Sequence, residues 1–191
     1  MVTILGRAKI NLTLDILGLR EDGFHEIATV MQSLALADTL ILTRQEEGIT
    51  LRVDLPGLEA DERNLAHRAA ALVRKECGGV HIDITKRIPV AAGLAGGSAD
   101  AAAALRGMNK LYALGLSDAE LCVLGAQIGS DIPFSLMGGT VLATGRGEIM
   151  QRLADFPATH VVLATPPVAV STPWAYRSYD ANPPAEHPNN A

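Results

Sequence analysis

The sequence predicts an α+β protein, strands and helices mixed within one ordered domain, and three observations carry the prediction. Residues Ala8 to Ile16 alternate, with Ile10, Leu12, Leu14 and Ile16 in one phase and Lys9, Asn11, Thr13 and Asp15 in the other, the pattern of a half-buried strand. A glycine-rich stretch, Gly93 to Ser98, joins a strand-like run to an alanine-rich helical one. Capping and breaking signals cut the remainder into short elements with no internal repeat. At 191 residues, 48% of them apolar, the chain can bury a core of its own.

Along the strand, Lys9 and Asn11 project from one polar face, about 7 Å apart at their Cα atoms. Arg20-Glu21-Asp22-Gly23 reads as a turn, and Ile27 to Leu36 as the strand that pairs back across it. Thr39 to Thr43 and Ile49 to Val53 are further strand segments. Asn64 caps a helix to about Cys77, stopped by Gly78-Gly79. Val80 to Thr85 alternates again, and an alanine-rich helix runs from about Ala99 to Tyr112. Ser117 and Glu120 form a capping box for a helix to about Ile128, which Gly129 to Pro133 breaks. Thr140 to Thr144 and Val161 to Ala164 read as strands, the latter buried. Ser171-Thr172-Pro173 opens a helix, and from about Asp180 the Pro- and Asn-rich tail is expected to fray.

Composition narrows the function classes. A formal net charge of -5 argues against a nucleic-acid-binding surface, which ordinarily carries a basic excess. One phosphorylated ligand remains compatible, since it needs only local main-chain donors and one or two cations. Cys77 and Cys122 sit in apolar, helix-like contexts and read as reduced core thiols. The start, MVTILGRAK, lacks the apolar core of a signal peptide, and no apolar stretch approaches a membrane span. The expectation is a cytoplasmic protein without a membrane partner. Asn11-Leu12-Thr13 matches a glycosylation pattern, which carries no meaning without a secretory route.

Between strand and helix, the glycines of Gly93 to Ser98 let main-chain N–H groups converge on an anion at a helix N-terminus. The stretch is not a Walker A loop, because no Gly-Lys-Ser/Thr follows, and its glycine spacing is not that of a dinucleotide fingerprint. A flexible connection is the competing reading, and the strand-loop-helix context weighs against it.

The wider segment, Pro89-Val90-Ala91-Ala92-Gly93-Leu94-Ala95-Gly96-Gly97-Ser98-Ala99-Asp100, resembles the phosphate-binding motif of the GHMP kinases, a Pro followed by Gly-Leu-Gly-(Gly)-Ser-Ser/Ala. It departs at Ala95, where the family usually has Gly; Ala there requires negative φ or tolerates strain. Ala8 to Leu12, Arg20 to Glu26 and Gln32 to Asp38, in that order, are similar to the members that act on 4-diphosphocytidyl-2-C-methyl-D-erythritol, and less so to homoserine or mevalonate kinases. The resemblance runs from the start to about Tyr179.

That resemblance implies a ribosomal protein S5 domain 2-like fold, a two-layer α/β arrangement of a sheet with helices packed on it. It implies ATP-dependent phosphorylation of a hydroxyl of that cytidine diphosphate compound, in the non-mevalonate route to isoprenoids. Residues 90–100 would bind ATP, and Ser98 is the candidate ligand for the accompanying Mg2+, with a helix N-cap as a compatible second role. Lys9 and Asp131 are the catalytic pair implied, Asp131 as base and Lys9 as its electrostatic partner. Taken alone, Lys9 would read as a solvated strand residue and Asp131 as a turn residue. Asn11, Phe24, His25, Thr172 and Tyr176 are the substrate-binding residues implied. Phe24 and Tyr176 would enclose the cytosine while His25 reads its edge; most relatives carry Tyr where this chain has Phe24. Trp174 reads as packing, and Lys86 and Arg87 have no assigned role.

Members of the family continue for about another hundred residues into a second domain. Residues 1–165 are therefore expected to form the ATP-binding domain and 166–191 to begin a connection, the protein acting as a monomer or homodimer. Two other readings stand beside this one. A different GHMP kinase would act on homoserine, mevalonate or a sugar, acceptors with no base to stack. A non-catalytic anion- or RNA-binding module on the same fold is disfavoured by the acidic balance and by Lys9 and Asp131.

Overall fold

Strand alternation begins earlier and runs longer than the sequence predicts. In the computed structural model, which describes residues 1–74, 77–165 and 170–183, the first two strands, β1 (Val2–Leu19) and β2 (His25–Gln45), form one long antiparallel hairpin. The predicted turn joins them, with Gly23 at φ +79°, a conformation that costs glycine little. The two segments expected at Ile27 to Leu36 and Thr39 to Thr43 are one strand. Asp38 inside it disfavours a strand by propensity, but its carboxylate is fully buried and receives three donors described below.

β2 organises the six-stranded sheet. Its first half pairs with β5 (Thr140–Gly145) and its second half with β4 (Gly79–Thr85), both antiparallel. β3 (Ile49–Val53) lies parallel to β4, and the helix α1 (Leu65–Arg74) connects them, as a parallel pair requires. A short strand, β6 (Ile149–Arg152), edges β5; it was not legible in the sequence, being only four residues long.

Four helices pack with this sheet: α1, α2 (Gly96–Tyr112), α3 (Asp118–Ala126) and α4 (Asp131–Met137). The main core sets Leu40, Leu42, Val80, Ile82 and Ile84 of the sheet against Ala66, Ala70, Leu105 and Met108 of the helices. Alanines at 101–104 of α2 are buried, and their small side chains let the helix lie close to the strands. Gly107 does the same, since a Cβ there would stand 2.6 Å from the Leu42 side chain.

Caps follow the expected chemistry. Asn64 Oδ1 accepts from the Ala66 N–H at 2.9 Å, and the capping box of Ser117 and Glu120 is complete. Gly129 to Pro133 does end α3, but it also starts α4, with Pro133 in the first turn, where its missing N–H has no partner to lose. α2 begins at Gly96, three residues ahead of expectation, with Ala95 rather than Ser98 at the N-cap.

Other expectations fail on exposure. Val161 to Ala164 is not a strand, and Val162 is 93% exposed. Leu12 and Leu14 stand exposed on the outer hairpin, beyond register shifts in β1. Trp174, expected to pack, is 56% exposed on a fifth helix, α5 (Thr172–Ala181), which Ser171 caps through the Trp174 N–H. The frayed tail expected from about Asp180 begins later, since α5 reaches Ala181; its remainder past Pro183 lies outside the described residues.

Candidate active site

Two separated stretches of chain meet at Lys9. Its ammonium stands 3.9 Å from Asp131 Oδ2 and donates to Asn11 Oδ1 at 2.6 Å. Asn11 in turn donates to Thr29 Oγ1 at 2.6 Å, and that hydroxyl donates to the Thr13 carbonyl at 2.6 Å. Lys9 and Asn11 thus share a face, as strand alternation requires, and a neighbouring strand holds them in place. Lys9 is 8% exposed, whereas the Asp131 side chain is 44% exposed. The carboxylate is the more exposed member of the pair. Its position follows from α4, whose Ile132, Phe134 and Leu136 are buried and so turn the first residue, Asp131, toward the hairpin.

The glycine-rich loop lies beside this pair. The main-chain N–H of Lys9 donates to the Leu94 carbonyl at 3.1 Å, and Leu94 packs with Ala8, Ile88 and Ala99. Gly6 permits a close approach here, because a Cβ on it would stand 2.7 Å from the Ala99 carbonyl oxygen. The loop takes positive φ at every second residue, Ala91 (55°), Gly93 (74°) and Ala95 (56°). Such alternation builds the main-chain nests that receive anions. Ala95 therefore occupies the left-handed region with a Cβ, the strained alternative anticipated from sequence.

This loop walls a cavity of about 330 Å3, within the range of small-molecule sites. Of the residues expected to bind ATP, Val90, Ala91, Ala92, Gly93, Leu94, Ala95, Gly96, Gly97 and Asp100 line it; Ser98 and Ala99 do not. The start of α2 opens beside it with no side-chain cap, leaving main-chain donors for a ligand. Across the cavity stand Glu59, Arg63, Asn64 and Leu65. Sequence reasoning missed these; its only signal there was the cap at Asn64.

Below the loop lies a buried charge cluster, also missed. The Lys86 side chain, 6% exposed, donates to Asp38 Oδ2 at 2.5 Å and to Asp100 Oδ2 at 2.6 Å. Asp38 Oδ1 accepts from the N–H groups of Arg87 and Ile88 at 2.5 and 2.8 Å. Asp100 is 4% exposed and its Oδ1 has no hydrogen-bond partner among the described residues. Burial pushes the Asp100 carboxyl up to about 7, against the attraction of Lys86. Burial opposes the charge on Lys86 too, but the two carboxylates outweigh it and raise the ammonium above its ordinary value.

Phe24 and His25, two of the residues expected to bind substrate, sit at the far end of the hairpin. His25 stacks on Tyr176 with ring centroids 4.6 Å apart, and its Nε2 lies 2.8 Å from Asp180 Oδ1. Phe24 is exposed and carries the Arg146 guanidinium 4.8 Å from its ring centre. Tyr176 faces His25, and Phe24 faces Arg146. Burial, and then the charge of Asp131, push the Tyr176 phenol above its ordinary range. Thr172 lies exposed at the first turn of α5.

The sheet with its helices and the loop define a class: residues 64–139 match the family described as GHMP kinases N terminal domain. A crystal structure of 4-(cytidine 5'-diphospho)-2C-methyl-D-erythritol kinase superposes with a TM-score of 0.70 at 38% identity, over 80% of this chain and 55% of that one. The 4-diphosphocytidyl-2-C-methyl-D-erythritol kinase of Synechococcus sp. (strain JA-3-3Ab) is 54% identical over 98% of this chain and 62% of its own length. That of Acetivibrio thermocellus is 44% identical over 98% of this chain and 68% of its own length. The chain belongs to the 4-diphosphocytidyl-2-C-methyl-D-erythritol kinase family, and spans about three-fifths of the length of the Synechococcus relative.

Proposed function

We propose that this chain carries the ATP-binding and proton-abstracting part of a kinase that phosphorylates a hydroxyl of 4-diphosphocytidyl-2-C-methyl-D-erythritol, in the non-mevalonate route to isoprenoids. The observation that supports this most is the Lys9 and Asp131 pair, 3.9 Å apart and tied by the main chain to the anion-binding loop. Asp131 takes the proton of the acceptor hydroxyl as its oxygen bonds to the γ-phosphorus of ATP. The bond from that phosphorus to the β,γ-bridging oxygen breaks, and ADP leaves with the electron pair. Lys9 offsets the negative charge that develops on the transferring group.

Residues 90–97 and the start of α2 cradle the triphosphate. Mg2+ takes few protein ligands and keeps phosphate oxygens and water. Ser98, at the start of α2 beside the cavity lining, would supply the protein oxygen for that ion, which would neutralise phosphate charge. Asn11 and Thr172 contact the substrate, and the cytosine is read at His25, with Phe24 and Tyr176 as its aromatic neighbours.

The protein acts in the cytoplasm as a monomer or homodimer, with a small-molecule partner and neither nucleic acid nor membrane. The net charge of -5 supports the exclusion of nucleic acid.

The test is mass spectrometry of products from ATP, Mg2+ and a panel of alcohols, with Asp131→Asn alongside. The expected result is a phosphorylated cytidine compound from the parent protein, and in the variant lost turnover with ATP affinity kept. Product from homoserine or mevalonate instead, or undiminished turnover in the variant, overturns the reading.

A further inference from the structure

His25 is held on two sides by one helix. Tyr176 and Asp180 lie four residues apart on α5 and so share a face; the first stacks on the His25 ring and the second meets its Nε2. The His25 side chain is left only 10% exposed. A stacked face and a bonded edge together fix both the plane of the imidazole and its rotation within that plane.

Asp180 also fixes which hydrogen-bonding role remains. An ionised carboxylate only accepts, so the Nε2 that meets it carries the proton. In the neutral ring the other nitrogen, Nδ1, is then a bare acceptor. Such an acceptor pairs with an amino group and repels a carbonyl oxygen. Cytosine presents an exocyclic amino group on its hydrogen-bonding edge, where uracil presents an oxygen.

We propose that Asp180 is a positioning residue that makes His25 a reader of amino-bearing bases, and so selects cytidine over uridine compounds. This rests on the reading above that the base is bound at His25. Neither the position nor the role was expected from sequence, where Asp180 marked the start of a fraying tail.

Two measurements on the chain test it. Nitrogen-15 NMR of the imidazoles reports the tautomer of His25, and calorimetry compares CDP with UDP. In the parent protein Nε2 is expected to carry the proton, with CDP bound about tenfold more tightly than UDP, the worth of one well-made hydrogen bond. Asp180→Ala should mix the tautomers and bring the ratio close to one. Asp180→Asn, whose amide oxygen still accepts, should keep the tautomer and most of the preference, which a purely structural role does not predict. Emission from Trp174, the single tryptophan and a residue of α5, checks that the helix stays in place. A proton on Nδ1 in the parent, or an unchanged CDP preference in Asp180→Ala, overturns the role of Asp180 while leaving base recognition standing. An Nε2 proton with no preference for CDP in the parent overturns base recognition at His25, and the proposal with it.

Discussion

The main-chain N–H of Lys9 donates to the carbonyl of Leu94 at 3.1 Å, so the strand that carries the amine is bonded to the loop that lines the cavity. Neither can shift without the other. The alignment of amine and loop is therefore a property of the packing of β1 against the start of α2.

Gly6 is where that packing is most easily disturbed. Gly6→Ala sets a methyl group 2.7 Å from the Ala99 carbonyl oxygen, and backbone yields little. The expected loss is about 1–3 kcal/mol of stability, together with weaker ATP binding. Urea unfolding and calorimetry check it; an unmoved midpoint would show that strand and helix separate freely.

Lys86 holds two buried carboxylates. Lys86→Met leaves Asp38 and Asp100 facing each other without a cation, and removing one partner of a buried ion pair costs about 3–5 kcal/mol. Denaturation midpoints should show a large fall, recovered in part when Asp100→Asn is added.

Asp100 makes stability depend on pH in the direction opposite to an ordinary salt-bridged aspartate. Its carboxyl titrates at about 7 when folded, against an ordinary 3.8, so between these values the folded state holds more protons. Stability from this group is full below about 4, declines as pH rises, and levels off above about 7. The difference amounts to roughly 4 kcal/mol at most. Asp100→Asn should flatten that slope in melting temperatures recorded from pH 4 to 8; a slope identical to the parent's would reject the assignment.

Ala95 sits at φ +56°, where a Cβ is disfavoured by about 1–2 kcal/mol. Ala95→Gly relieves this at some entropic cost, for a net gain of up to about 1 kcal/mol. A higher melting temperature with ATP affinity intact is expected, and a lower one would show that the loop needs the stiffness of alanine.

Lys9→Met tests the charge itself. Asn11 is exposed, so water can replace its lost donor, and stability should change little. Turnover should fall by about 10² or more, the scale for removing one electrostatic stabiliser of a transition state. Steady-state kinetics beside thermal melts separate the two effects.

Much of the site was legible in the sequence because its signals are local. Strand alternation placed Lys9 beside Asn11, the capping box placed α3, and glycine spacing marked the loop. The failures are those of range. Asp38 reads as a strand breaker until Arg87, Ile88 and Lys86 come to its carboxylate. Val161 to Ala164 is apolar enough for a buried strand, yet Val162 stands exposed. That Tyr176 stacks on His25 is likewise set by how α5 meets the hairpin.

The sequence by itself determined the α+β class, the glycine-rich turn ahead of α2 and the shared face of Lys9 and Asn11, because periodicity, caps and glycine spacing act over a few residues. Tertiary structure alone decided that Lys86 is a buried bridge and not a surface cation, and that Asp180 holds His25 from 155 residues away. Burial and charge pairing depend on which distant segments return to a point, and that is a property of the assembled sheet and its helices.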